Sequence, residues 1–169
     1  MAYQNQFRIL FVCTGNVCRS PAAEAILRKM AGEHGFGSLL HLDSAGTTDQ
    51  HVGEGPTNLS VLEGGRRGYD LAMLKGRQIC QNDFDSFDKI ICMTRDHKQE
   101  LETKFADKAS ASKAEIRLFS DVAPDKLPID LVDPWGMDKS VYAKMYDLLE
   151  LGLTDYVASL KKQLGPKQA

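Results

Sequence analysis

Apolar residues recur along this chain at two alternating spacings. Ile9-Leu10-Phe11-Val12 is a continuous apolar run and predicts a fully buried strand over Phe7 to Val12. Shorter runs over Leu39 to Ser44, Lys89 to Met93 and Ile116 to Phe119 predict three further strands. Between them the period lengthens. Ala23, Ile26, Leu27 and Met30 stand at i, i+3, i+4 and i+7 on a helix that begins near Pro21, with Gly35 beyond its end. A second helix is predicted from Thr57 to about Gly64, where the Gly64-Gly65 pair should break it. A charged helix covers about Arg95 to Lys104. A long one, from about Asp138 to Leu164, turns Val141, Met145, Leu148, Leu149 and Leu153 inward. Strand and helix alternate without internal repeats, which predicts one α/β domain with a parallel sheet covered on both faces.

Composition narrows the class. A chain of 169 residues can bury one core, and a net charge of −2 argues against nucleic-acid or membrane partners. No apolar run approaches the about 20 residues that span a bilayer, and Met1 to Arg8 lacks a secretory signal. Four cysteines are too few for a disulfide scaffold. His34, His41, His51 and His97 show no metal-ligand spacing with them, so no metal and no cofactor is expected. The expectation is a cytoplasmic domain over 7–164, between short disordered segments at 1–6 and 165–169.

Candidate chemistry concentrates where the first strand meets the first helix, in Cys13-Thr14-Gly15-Asn16-Val17-Cys18-Arg19-Ser20-Pro21. Five residues between Cys13 and Arg19 let the loop curl a thiol and a guanidinium around one small ligand. Gly15 and Asn16 are suited to the left-handed backbone angles of such a curl, which turns successive N–H groups inward as an anion nest. Ser20 is placed to cap the helix and Pro21 to open it, aiming the helix's positive end into the same cup. A thiol so surrounded rests as thiolate at neutral pH. Attack on phosphorus would give a cysteinyl-phosphate, with Arg19 and the loop amides of Thr14 to Ser20 holding the oxygens. No Gly-Lys-Ser/Thr follows Gly15, so a nucleotide-binding loop is not indicated. A buried structural cysteine in a strand-to-helix turn is the plainer alternative, and the Gly-Asn and Ser-Pro pairs argue against it.

Val12 through Pro21 resembles the V-C-x-G-N-x-C-R-S-P signature of the low-molecular-weight protein tyrosine phosphatases, without gaps. Asp43-Ser44-Ala45-Gly46-Thr47, the segment Asp83 to Met93, and Asp133-Pro134-Trp135-Gly136 extend the resemblance over about residues 7 to 163. It implies a flavodoxin-like sheet of order 2-1-3-4, with the site at the carboxyl end of the first strand. It implies a cytoplasmic hydrolase acting on tyrosine-phosphorylated proteins, with Cys13 as nucleophile and Arg19 in the phosphate cradle. Asp133 would be the general acid, although Asp-Pro alone reads as turn initiation, and Asp130 and Asp138 lie close by in sequence. Ser20 would donate to the thiolate or merely cap the helix. Asn16 would hold the turn with Ser44 as its partner. Cys18 would be a disulfide partner of Cys13 under oxidation or a small packing residue. Cys80, Cys92 and Arg77 are expected to be structural.

Three departures bear on substrate. Gln50 stands where many members carry a rim aromatic, leaving Trp135 as the main platform. Leu74 replaces a histidine that in some members supports the asparagine network, and Thr94 replaces an aspartate. Arsenate reductases share the fold but need a resolving cysteine pair, for which only Cys80 and Cys92 are available. Protein-arginine phosphatases typically carry Thr where Val17 stands, so an apolar Val17 favours a phenyl phosphate. A phosphotyrosine-binding module without turnover would be expected to lack Cys13 or Asp133, and both are present.

Overall fold

The computed structural model describes residues 6–165. Four parallel strands form one sheet in the expected order, β2-β1-β3-β4. The central β1 (Phe7–Cys13) pairs with β2 (Leu40–Gly46) on one side and β3 (Lys89–Cys92) on the other, and β4 (Glu115–Leu118) forms the far edge. The helices are α1 (Arg19–Glu33), α2 (Asn58–Arg66), α3 (Asp83–Ser86), α4 (Arg95–Lys104), α5 (Ala106–Ala111) and α6 (Lys139–Leu164). The segments expected to be disordered lie outside the described residues except at their inner ends. There Gln6 donates to the Ser38 carbonyl (3.0 Å) and the Gly165 amide to Lys161 (2.9 Å).

Side-chain alternation along β1 explains why its run is apolar throughout. Ile9 and Phe11, with Ile91 of β3, join one core with α1 and α6. Leu10 and Val12, with Ile90 and Cys92, join a second with Phe84, Phe87 and Leu101 on the α3–α4 side. A parallel strand covered on both faces has no polar side to show.

On α6 the buried stripe is Tyr142, Met145, Tyr146, Leu149, Leu153, Val157 and Leu160. Val141 and Leu148, expected to point inward, lie half-buried at its margin. Tyr156 is buried too, its hydroxyl without a partner among the described residues, whereas the hydroxyls of Tyr142 and Tyr146 find partners inside. Tyr146 donates to the Ser60 carbonyl (2.9 Å), and Tyr142 accepts from Thr57 Oγ1 (3.0 Å).

The Gly64-Gly65 pair does not break α2, which continues to Arg66. Ion pairs hold the last turn: Glu63 meets Arg66 at 2.7 Å and Arg67 at 2.6 Å, and Arg67 reaches Asp147 (2.8 Å) and Glu150 (2.9 Å) on α6. Gly64 serves a close approach instead, because a Cβ there would lie 2.6 Å from Tyr146 Oη and 2.7 Å from Leu71 Cδ1. Gly64→Ala gains about 1 kcal/mol of helix propensity but overpacks this contact by about 1–3 kcal/mol. Urea unfolding should therefore show net destabilisation, whereas a gain in stability would mean that Tyr146 moves aside freely.

Candidate active site

Between β1 and α1 the backbone turns its carbonyls outward. Cys13 O accepts from the Thr47 amide (2.9 Å), Thr14 O from Thr48 (3.1 Å), Val17 O from Thr57 (2.9 Å) and Cys18 O from Ala22 (3.3 Å). Among the described residues, no amide from Thr14 to Cys18 donates to a protein acceptor. Five N–H groups are thus left facing one concavity at the N-terminus of α1, which is the physical definition of an anion nest.

Asn16 carries the one left-handed angle in the loop (φ +58°). Gly15, expected to share that duty, does not have a positive φ. It provides space instead, since a Cβ there would meet His51 Cδ2 at 2.9 Å. Asn16 pins the turn by donating to Ser20 Oγ (2.8 Å) and accepting from the Arg77 amide (3.0 Å). Ser44 is not its partner. Residue 44 lies opposite Phe11 in the β1–β2 register, and its hydroxyl donates to Glu24 Oε2 on α1 at 2.8 Å. Burial pushes the Glu24 carboxyl up, against the pull of Ser44 and Arg28. Leu74 packs against the core, so the Asn16 network closes through Arg77. Arg77 is in turn clamped by Asp43 and Asp83 (each 2.9 Å).

Ser20 is not the helix cap either. The helix opens at Arg19, and no side chain caps it. Ser20 sits inside the first turn with Oγ 3.0 Å from Cys13 Sγ. Because Asn16 donates to that oxygen, the Ser20 proton is left for the sulfur or for the Ala45 carbonyl at 3.4 Å. Cys18 Sγ lies against Tyr142 Oη (3.4 Å) and Thr57 Oγ1 (3.6 Å), and burial pushes its thiol up. Cys80 is exposed and Cys92 buried in β3.

Arg19 is 4% exposed. Its Nη1 donates to the Leu131 carbonyl (3.0 Å), and its Nη2 meets Thr14 Oγ1 and Asp133 Oδ2, each at 3.3 Å. Nε is buried without a hydrogen-bond partner among the described residues. The Nε–Nη2 edge is the fork that grips two oxygens of a tetrahedral anion.

Three nearby carboxylates separate by position. Asp130 pairs with Arg95 (2.7 Å) and accepts its amide (2.8 Å), so it anchors the loop to α4. Asp138 caps α6 through the Ser140 amide (2.9 Å). Asp133, between these two pins, is half-exposed and faces Arg19. The resulting cup is open on one side and has a volume of about 140 Å³. Cys13, Thr14, Gly15, Val17, Cys18 and Arg19 form its floor and walls. Gln50, His51, Asp133 and Trp135 form its rim.

Residues 8–166 match the profile of the family described as low molecular weight phosphotyrosine protein phosphatase. The chain belongs to that family. A low molecular weight protein-tyrosine-phosphatase of Streptomyces coelicolor is 32% identical over 165 residues, covering 96% of this chain and 99% of the relative. The crystal structure of YfkJ from Bacillus subtilis superposes with a TM-score of 0.84 at 30% identity, covering 98% of this chain and 99% of its own. DARP, a drosophila arginine phosphatase, superposes with the same TM-score of 0.84 at 27% identity, covering 90% and 97%.

Two histidines at the family's site were passed over in the sequence because only metal spacing was sought. His51 stands where Gln50 left a wall missing. Its ring centroid is 6.2 Å from that of Trp135, and Nδ1 lies 2.7 Å from Glu54 Oε2. His51 thus stands beside Trp135, the rim aromatic expected from the sequence. His97 is buried on α4, with Nε2 2.8 Å from Thr14 Oγ1. Its i, i+4 spacing to buried Leu101 was the signal that placed it inward. Thr94 caps the same helix by accepting from the His97 amide (3.3 Å). Among the described residues no cluster of three His, Cys, Asp or Glu side chains could hold a metal ion, and no helix is long and apolar enough to cross a membrane.

Burial, reinforced by Arg19, pushes His97 down from 6.5 to about 4. Between those values the unfolded chain binds a proton that the folded chain refuses, so stability falls as pH drops through the window. Urea unfolding at pH 7 and pH 4.5 should show a larger acid loss for the wild type than for His97→Leu. Equal losses would show that His97 is not refused its proton.

Proposed function

We propose that this chain hydrolyses phosphotyrosine in proteins through a cysteinyl-phosphate intermediate. The observation that carries the reading is convergence. The loop whose five amides from Thr14 to Cys18 lack protein acceptors, and Arg19 with its unpartnered Nε–H, line the same cup as Cys13. A phosphoryl dianion is the small ligand that satisfies all of these donors at once.

In the proposed reaction the Cys13 thiolate attacks phosphorus as the bond to the phenolic oxygen breaks. Arg19 and the amides hold the equatorial oxygens, where charge is spread in the transition state. The incoming dianion takes over Arg19, and Asp133 at the rim, protonated from solvent once released, transfers that proton to the leaving oxygen and becomes a carboxylate. In the second step Asp133 takes a proton from water, which attacks the cysteinyl-phosphate and expels the thiolate. The Ser20 hydroxyl at 3.0 Å stabilises that leaving sulfur.

Substrate class follows from the walls. Val17 is apolar, and the tilted rings of His51 and Trp135 flank the mouth, a lining suited to a phenyl ring. The likeness to DARP makes phosphoarginine the rival substrate. Arsenate reduction fits less well, because neither further cysteine lines the cup, and burial pushes Cys92 up to about 12. A nucleophilic thiol suits a reducing compartment, and the cytoplasm is the proposed location.

Hydrolysis of phosphotyrosine, phosphoserine and phosphoarginine peptides tests the substrate, with phosphotyrosine expected to be fastest. A phosphoarginine preference would replace the assignment. Cys13→Ser should abolish turnover while still binding inorganic phosphate, because the nest does not depend on sulfur. Wild-type turnover in that variant would sink the mechanism.

The general-acid role has its own signature. Asp133→Asn should slow hydrolysis by about 10²–10⁴-fold for poor leaving groups and less as leaving-group acidity rises. Asp130→Asn and Asp138→Asn should show no such trend across substituted phenyl phosphates. A flat Asp133→Asn defect in single-turnover release would remove it from the acid role.

A further inference from the structure

One group at the cup takes no part in the steps above. His97 comes from α4, on the opposite face of the sheet from α1, and is 5% exposed. Its Nε2 lies 2.8 Å from Thr14 Oγ1. The same hydroxyl oxygen receives Arg19 Nη2 at 3.3 Å. His97 Nδ1 is buried and has no partner among the described residues.

That asymmetry assigns the tautomer. A neutral imidazole carries one hydrogen. On Nδ1 it would be a buried donor without an acceptor, pointed outward from a ring that already lies beside the Arg19 cation. On Nε2 it has an acceptor at normal distance, and only a lone pair is left bare. Orphaned donors are the rarer and costlier of the two. His97 therefore donates to Thr14. Burial keeps the ring neutral, which preserves the bare Nδ1.

The consequence falls on Thr14. A hydroxyl has two lone pairs and one proton. His97 Nε2–H and Arg19 Nη2–H occupy the lone pairs, and Thr14 lines the cup. Its proton is then, like the Arg19 Nε–H, a hydrogen not committed to protein.

We propose that His97 is a positioning residue which, through the Thr14 hydroxyl, fixes the Arg19 fork and turns the Thr14 O–H toward the phosphoryl oxygens. Resting on the reading of the cup as a phosphate site, this adds a side-chain donor to the nest. It also adds a tether from α4 to the arginine. Leu131 holds Nη1 from the acid-loop side, and Thr14, braced by His97, holds Nη2 from the other. The guanidinium plane is thereby fixed before substrate arrives, with Nε left free to bind.

A double-mutant cycle on the full chain tests the relay, with inorganic phosphate as competitive inhibitor of p-nitrophenyl phosphate hydrolysis as the readout. Thr14→Val should weaken phosphate by about tenfold, in the range of one hydrogen bond to a charged group. His97→Leu should weaken it by roughly three- to tenfold, and the double variant no more than Thr14→Val alone. His97→Gln, whose amide N–H reaches the Nε2 position, should restore affinity to within about threefold of wild type. Losses that multiply in the double variant would make His97 a merely structural residue and overturn the relay. So would Leu and Gln variants that are equally impaired, or a Thr14→Val variant with unchanged affinity. Should His97→Leu fail to fold, Thr14→Val and His97→Gln decide the matter alone. A wild-type protein that binds no phosphate would overturn the reading of the cup itself, a result distinct from an additive cycle.

Discussion

A guanidinium almost wholly removed from water, with its Nε left without a partner among the described residues, is the constraint on which this architecture turns. Burying a cation costs several kcal/mol unless neighbours compensate it. The compensation for Arg19 comes from two stretches of chain: the Thr14 hydroxyl of its own loop, and the Leu131 carbonyl and Asp133 carboxylate of the loop before α6. Leu131 and Asp133 reach Arg19 only once the sheet is assembled. Leu131 is itself placed by its amide on the Met93 carbonyl at the end of β3 (3.0 Å). The placement of Arg19, with its Nε unpartnered, is thus a product of the whole fold.

The same economy governs the acid loop. Two of its three carboxylates are spent on anchorage, one to α4 and one to the first turn of α6. Asp133 is left between two fixed points, close enough to Arg19 to pair and exposed enough to meet a leaving group. His51 and Trp135, with ring centroids 6.2 Å apart, both line the cup. Their contact depends on Gly15, because any side chain there would push His51 off the loop. Residues that looked like departures from the family pattern found other employment. Thr94 caps α4 and so presents His97, and Leu74 fills core while the Arg77 backbone serves Asn16.

Much of this was written in local pattern. A strand buried on both faces must be apolar at every position, and an amphipathic helix must repeat near 3.6, so four strands and the main helices followed from spacing. The C-x5-R loop was legible for a similar reason. Its chemistry is carried by residues adjacent in sequence, whose geometry a strand-to-helix turn largely dictates.

Partnership at a distance was not legible. Nothing local says that Ser44 faces Glu24 instead of Asn16, because the register of β1 against β2 decides which face each side chain takes. Gly64-Gly65 reads as a break until Tyr146, 82 positions along, is seen pressed against the first glycine. Tyr142 and Tyr146, absent from the predicted apolar face, are buried, and their hydroxyls find donor and acceptor inside the core. His97 carried no motif at all, and its meaning comes from the loop that the sheet brings to it. Spacing within each element, and the alternation of the elements, determined the fold class, and the sequence of a single turn marked Cys13 and its candidate cradle. Which side chains brace that cradle was decided only by tertiary packing, because hydrogen bonds are made by atoms near in space, and sequence distance does not record that.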